Sequence, residues 1–207
     1  PGDFWRMAVS ADRVDPLFLR MLLAYEDKRF HGHGGVDARA MLRATSQAIR
    51  AGRVVSGGST LTMQVARLLE DGPTGDWRGK LRQVRVALAL ERRLDKTQIL
   101  SLYLHLAPYG GNIEGLRAAT LSYFGKEPLR LTPAEAALLV ALPQAPEARR
   151  PDRFPDAAHA ARDRVLARMA DAGVLSAEAA AAARRDPSPD RRLPMPMLAP
   201  HLAEELW

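Results

Sequence analysis

The chain has 207 residues, 47% of them hydrophobic and 26% charged, and it contains no cysteine. This composition excludes wholesale disorder, a coiled-coil rod and a collagen-like repeat. The missing thiols exclude a disulfide scaffold, a thiolate zinc site and a cysteine nucleophile. Thirty lysines and arginines against 24 aspartates and glutamates leave a net charge of +6, which favours anionic partners: nucleic acid, lipid headgroups or phosphorylated substrates.

The length suits one substantial domain. The longest uninterrupted apolar run is Ala136 to Leu142, a core-helix length well short of the roughly 20 residues of a membrane span. No signal-peptide pattern opens the chain. It starts at Pro1 without Met and stops at Trp207, and the expectation is a piece of a longer protein.

Taken in order, the elements are mostly helical. Short β pieces are allowed near Phe4–Val9. Asp15-Pro16 supplies an N-cap with proline at the first helical position, and Phe18, Met21, Leu22 and Tyr25 follow on one helical face. Asp37 can cap the next segment. Gly57-Gly58 precedes Ser59-Thr60, either of which can cap a helix with apolar residues Leu61, Val65, Leu68 and Leu69. Leu81, Val84 and Leu88 predict a further inward stripe. Asp95 with Gln98, and Thr132-Pro133-Ala134-Glu135, read as helix starts. Pro143 to Pro155 reads as a loop. Two alanine-rich helices then cover roughly 156–171 and 176–185, and a linker or tail begins at 187. The predicted fold class is mainly α.

The candidate chemistry lies in the first half. Glu26-Asp27 closes an apolar helix face at the end where the helix dipole disfavours carboxylates, beside Phe30, His33 and Gly35. Local stability does not explain such a pair, and a carboxylate at a cleft edge can act as general base or acid. The glycine pair lets backbone approach a ligand, and the following helix N-terminus is expected to be an anion site. It is no nucleotide P-loop, because no Gly-Lys-Ser/Thr ends it. Arg67 sits on that helix and can face the same anion. Arg78, Lys80, Arg82, Arg85, Arg92 and Arg93 form a cationic series that by itself reads as a solvated face. Glu91 is read as structural, with a neighbouring arginine as partner. His31 and His33 lack the further ligands a metal needs.

Singly these signals are weak, but their order is specific. Glu26-Asp27-x-x-Phe30-x-x-His33-x-Gly35 followed by Gly57-Gly58-Ser59-Thr60-Leu61-Thr62-x-Gln64 resembles the first two motifs of the peptidoglycan glycosyltransferases (glycosyltransferase family 51). Ile99-Leu100-x-x-Tyr103-Leu104, Gly115-x-x-x-Ala119-x-x-x-Tyr123-Phe124-Gly125-Lys126 and Glu135-Ala136-Ala137-x-Leu139-x-Ala141-Leu142-Pro143 resemble later motifs. The similarity runs from about Leu17 to Pro155, with a tail typical of the 1C type of class A penicillin-binding protein.

The resemblance implies a lysozyme-like multi-helix domain at residues 1–186, with a small membrane-facing jaw at 36–55, and 187–207 leading toward a further domain. It implies polymerisation of lipid II into glycan strands by inverting transfer, with Glu26 as general base. Arg67 and Lys80, assisted by Arg78, would hold the polyprenyl pyrophosphate that leaves. Asp27, Phe30, His33, Gly58, Ser59, Thr60, Gln64 and Gln83 complete the expected substrate-binding set. No cofactor is required, though a divalent metal (Mg or Mn) can assist. The implied partners are lipid II, the nascent strand, the membrane surface, moenomycin-type inhibitors and other cell-wall synthesis proteins. The implied location is the periplasmic face of a bacterial inner membrane, with a transmembrane anchor outside this chain.

The jaw segment combines Val36, Met41, Leu42, Ile49, Val54 and Val55 with Arg39, Arg43, Arg50 and Arg53, a mixture suited to a bilayer interface. The sequence departs from the family pattern at Gln83, where the third motif usually carries a second glutamate, and at Met63 and His105. Glu26 alone must then supply the base. Two other functions fit parts of the pattern: a lysozyme-like glycan-cleaving enzyme, which would need no pyrophosphate site, and a non-catalytic scaffold of the cell-wall machinery. A nucleic-acid binder fits the charge but not the motifs.

Overall fold

The computed structural model describes residues 4–51, 58–70 and 77–195. It is mainly α-helical, as the sequence predicts. The helices are α1 (Pro16–Glu26), α2 (Ala38–Ala51), α3 (Leu61–Leu69), α4 (Trp77–Glu91), α5 (Lys96–Leu106), α6 (Leu116–Phe124), α7 (Pro133–Ala141), α8 (Pro155–Asp171) and α9 (Ala177–Ala183). Two residues at Trp5–Arg6 pair in parallel with Ile113–Glu114, the β piece allowed near the N-terminus.

The starts follow local chemistry. Asp15 accepts from the Leu17 N–H, and its other oxygen accepts from Leu131 N–H, tying the start of α1 to the loop before α7. Asp95 with Gln98, and Thr132 with Glu135, form complete capping boxes, each satisfying two backbone donors that the first helical turn leaves open.

The core forms around α7. Residues 136–141 of that helix are all buried, and α7 packs against α1 on one side and α8 on the other. Its alanines let these helices approach closely, while Leu138 and Leu139 fill the space between them. Burying a leucine contributes about 1.5–3 kcal/mol. From α1, Phe18, Met21 and Leu22 enter the same core.

A second packing unit positions the candidate site. α3 lies against both α4 and α5. The inward face of α4 is Gly79, Gln83 and Ala87, not the expected Leu81–Val84–Leu88 stripe. Small residues at 79 and 87 let α4 settle on Met63 and Ala66 of α3. Leu81 (53% exposed), Leu88 and Trp77 (71% exposed) therefore point outward.

Within the expected jaw, α2 packs closely against none of the other described helices. Met41 and Ala44 touch Gly58, where a Cβ would lie 3.1 Å from Met41 Cα. Leu42 and Ile49 (77% exposed) face outward. Val54, Val55, Arg53 and Gly57 lie outside the described residues. Among the described residues, no helix is long and apolar enough to cross a membrane.

Residues 187–195 run back along the domain. Arg162 donates to the Asp186 and Arg184 carbonyls and to Ser188 Oγ, Arg192 donates to Gly110 O, and Leu193 N–H donates to Ser122 O. The rest of the tail, 196–207, lies outside the described residues.

Candidate active site

A cleft of about 940 Å³ opens where the end of α1, the N-terminal half of α3, one face of α4, α2 and the turn after α7 meet. Its lining includes Glu26, Asp27, Gly58, Ser59, Thr60, Gln64, Arg67, Lys80 and Gln83. The sequence predicts all nine as site residues from segments as far apart as 26 and 83, and folding brings them to one concavity.

Glu26 is the last residue of α1 and half-buried. Gln64 Nε2 donates to its Oε2 at 2.8 Å, and Gln144 Nε2 donates to its Oε1 at 2.8 Å. Gln144 is held in turn: Arg149 Nη1 donates to Gln144 Oε1 at 3.1 Å and to the Ala141 carbonyl at 2.7 Å. Two neutral amides thus fix both oxygens of the carboxylate without adding a counter-charge, and leave it lone pairs for a proton. The sequence reading missed Gln144 and Arg149. The only local signal was their place just after the buried helix α7, at a chain turn.

Asp27 has a different task. Its carboxylate accepts from His33 Nε2 at 2.9 and 3.0 Å, and from the Leu61 N–H at 2.9 Å. His33 Nδ1 accepts from the Gly35 N–H, which leaves the proton on Nε2 for Asp27. The carboxylate sits at the start of α3, where the helix dipole favours negative charge. Thr60 Oγ1 accepts from the Met63 N–H and donates to the Gly35 carbonyl at 2.6 Å. The N-terminal donors at Leu61 and Met63 are therefore satisfied by the protein itself. Asp27 and Thr60 thus take two of the donors at the expected anion site at the start of α3, and Gly58 permits the close approach of α2.

Phe30 and His33 do not line the cleft. Phe30 is buried in the main core, its ring edge-on to His33, with Lys96 Nζ 4.6 Å from its centroid. Both ring nitrogens of His33 are engaged inside the wall, so these two expected substrate contacts shape the backing of the site. Arg78 also lies outside the lining. It is exposed on α4 and stacks over the Trp77 ring. Glu91 is structural, as read, but its partner is a lysine: Glu91 Oε1 accepts from Lys96 Nζ at 2.6 Å and from Thr62 Oγ1 at 2.7 Å. Lys96 also donates to the His33 carbonyl at 2.6 Å, so this pair braces α3, α4 and the His33 loop.

The rest of the cleft is cationic. Lys28, Arg29, Arg43, Arg67, Lys80 and Arg168 line it against the carboxylates Glu26, Asp27 and Asp37. Arg29 is consumed by Asp37, which also caps α2 through the Ala40 N–H. The Arg29 hydrogen bond is the main reason the Asp37 carboxyl is held down at about 2. Arg67 is exposed in the cleft and makes no ion pair or side-chain hydrogen bond among the described residues. Lys80 Nζ donates to Ser59 Oγ, and burial, with the charge of Arg67, lowers its pKa. Arg67 and Lys80 thus present positive charge that no acid of the described chain neutralises. Among the described residues no three His, Asp or Glu side chains gather into a metal site.

Residues 2–170 match the family model described as Transglycosylase. Penicillin-binding protein 1C of Escherichia coli (strain K12) is 49% identical over 196 residues, covering 95% of this chain and 25% of that protein. Penicillin-binding protein 1F of Bacillus subtilis (strain 168) is 37% identical over 179 residues, 86% of this chain and 25% of that protein. The fold is similar to the crystal structure of penicillin-binding protein 1A from Haemophilus influenzae, with a TM-score of 0.55 at 21% identity, over 99% of this chain and 21% of that one. The chain spans about a quarter of the length of the curated relatives it matches. With Glu26 and the glycine-rich motif residues in one cleft and most of its length covered by the family model, this chain belongs to the transglycosylase family, glycosyltransferase family 51.

Proposed function

We propose that this domain polymerises lipid II into glycan strands. The carrying observation is the placement of Glu26, fixed by Gln64 and Gln144, in one cleft with the unneutralised cations Arg67 and Lys80. The acceptor's 4-hydroxyl enters beside Glu26. As its oxygen attacks the donor's anomeric carbon, the proton passes to a Glu26 carboxylate oxygen. The bond from that carbon to the phosphate oxygen breaks, the configuration inverts, and polyprenyl pyrophosphate departs with the electron pair. A sugar hydroxyl is a poor nucleophile, so a positioned base contributes about 10²–10⁴-fold. The charge gathered on the leaving diphosphate is met by Arg67 and Lys80, which are already in place. A hydrolase cutting glycan would have no such anion to hold, and this weighs against the lysozyme-like alternative.

The partners follow from the surface. Leu42 and Ile49 on α2, with Arg39 and Arg50, and Trp77, Leu81 and Leu88 on α4, with Arg78 and Arg85, present exposed apolar groups beside cations. Such faces seat on an anionic bilayer interface, here the periplasmic leaflet that carries the lipid-linked substrate. Moenomycin-type phosphoglycolipids would compete for the same cations. The direct test is incubation of the chain with labelled lipid II in detergent. Ladders of lengthening glycan are expected. Shortening of preformed glycan without new strands would support the cutting enzyme, and neither product would support the scaffold.

A further inference from the structure

The inner face of α4 buries one polar side chain among small residues. Gln83 is 6% exposed, lines the cleft, and its amide makes no hydrogen bond with any described residue. The amide opens to the cleft and has no protein partner among the described residues, so its Nε2 is free to donate to a ligand that enters there. Lys80 stands one turn earlier on the same helix, tethered to Ser59, and Arg67 faces the same space from α3.

The donor set suits an anion and not a hard cation. Mg²⁺ and Mn²⁺ require several oxygen donors, chiefly carboxylates. Of the three cleft carboxylates, Asp27 is spent on His33 and the Leu61 N–H and Asp37 on Arg29 and the start of α2, which leaves Glu26, with one lone pair on each oxygen still open, as a single carboxylate where a divalent ion needs several oxygens. What remains near Gln83 is an ammonium and a guanidinium, which repel a divalent ion.

We propose that this cleft holds the diphosphate of its lipid-linked donor by protein donors alone, with Gln83 Nε2 donating to a phosphate oxygen between Lys80 and Arg67 and no divalent ion bridging them. The proposal rests on the transferase reading and adds how the leaving group is bound. An amide at 83 adds a donor without adding charge. A carboxylate there would repel the diphosphate unless a metal ion came between them. Gln83 is thus the residue that sets metal independence.

The test is calorimetric titration of farnesyl diphosphate into the 207-residue chain, once in EDTA and once with Mn²⁺. Wild-type affinity is expected to agree within about twofold between the two buffers, and Gln83→Ala to weaken it about tenfold in both, the loss of one hydrogen bond to a charged group. Gln83→Glu is expected to bind more weakly still in EDTA and to regain affinity with Mn²⁺. Wild-type binding that requires Mn²⁺ would overturn the proposal and leave the transferase reading standing. This arm does not depend on any variant folding. Gln83→Ala binding as tightly as wild type would remove the contact. No binding in either buffer would remove the diphosphate site itself, and the transferase reading with it.

Discussion

Gln64 and Glu26 lie 38 positions apart in sequence, yet the amide of one donates to the carboxylate of the other at 2.8 Å. This contact joins the end of α1 to the first turn of α3, and it aims the carboxylate into the cleft. Gln144 makes the equivalent contact from the far side. Gln64→Ala or Gln144→Ala should each lower kcat about tenfold or more, the scale of a hydrogen bond to a charged group, with KM little changed. A steady-state assay on labelled lipid II checks the split. A rise in KM with unchanged kcat would show that these amides bind substrate.

Asp27 ties the His33 loop to the start of α3. Removing it leaves the Leu61 N–H and the His33 Nε2–H buried without acceptors. Asp27→Ala should cost about 1–3 kcal/mol. At about 2–4 °C per kcal/mol for a chain of this size, the melting temperature should fall by several degrees. Thermal unfolding followed by circular dichroism reads this directly. A melting temperature equal to wild type would contradict the capping role.

The anchor of α2 should be acid-sensitive. The Asp37 carboxyl is held at about 2 by Arg29, below its ordinary 3.8. A depressed carboxylate stabilises the fold above the unfolded pKa, and that contribution is lost as pH falls through the folded value. The start of α2 should therefore loosen between about pH 4 and pH 2. Protection of the Ala40 and Met41 amides against hydrogen exchange, taken relative to the intrinsic rate at each pH, should fall over that window, whereas in Asp37→Asn it should already be low at pH 6 and change little on acidification.

The Arg67 guanidinium should be the main fixed charge for a lipid phosphate. Arg67→Ala should weaken binding of a moenomycin-type inhibitor by about tenfold or more, as expected for a lost charge-assisted contact. It should leave thermal stability unchanged, since Arg67 makes no ion pair among the described residues. Fluorescence anisotropy with a labelled inhibitor measures the first, and a melting curve the second.

The exposed faces should bind membrane through both α2 and α4. Leu81→Ser with Leu88→Ser should reduce co-flotation with phosphatidylglycerol vesicles, and Trp77 emission should be quenched by brominated lipid in wild type. Equal flotation of wild type and variant would exclude the α4 face.

Much of this was legible where the physics is local. The caps at Asp15, Asp37, Asp95 and Thr132 depend on a side chain and amides within three residues, and all four form as read. The cleft residues were found because their motifs fall in the order of a known family. The inward face of α4 was not legible, because Leu81 and Leu88 lie on its outer side. The choice was made by Gly79 and Ala87, whose small size matters only against α3. Thr60 caps α3 through the Met63 N–H, one of the two caps the sequence offers, whereas only a tertiary contact shows that Asp27 also accepts from the Leu61 N–H. Gln144 reaches Glu26 across 118 positions, a distance over which one chain gives no local signal.

The central claim is that Glu26 receives the proton of the attacking hydroxyl. Replacing its carboxylate by the isosteric amide preserves shape and removes only basicity. In a single-turnover lipid II assay, Glu26→Gln should lose about 10²–10⁴-fold in rate while keeping the wild-type melting temperature and inhibitor affinity. A folded Glu26→Gln chain that extends glycan at the wild-type rate would contradict the account.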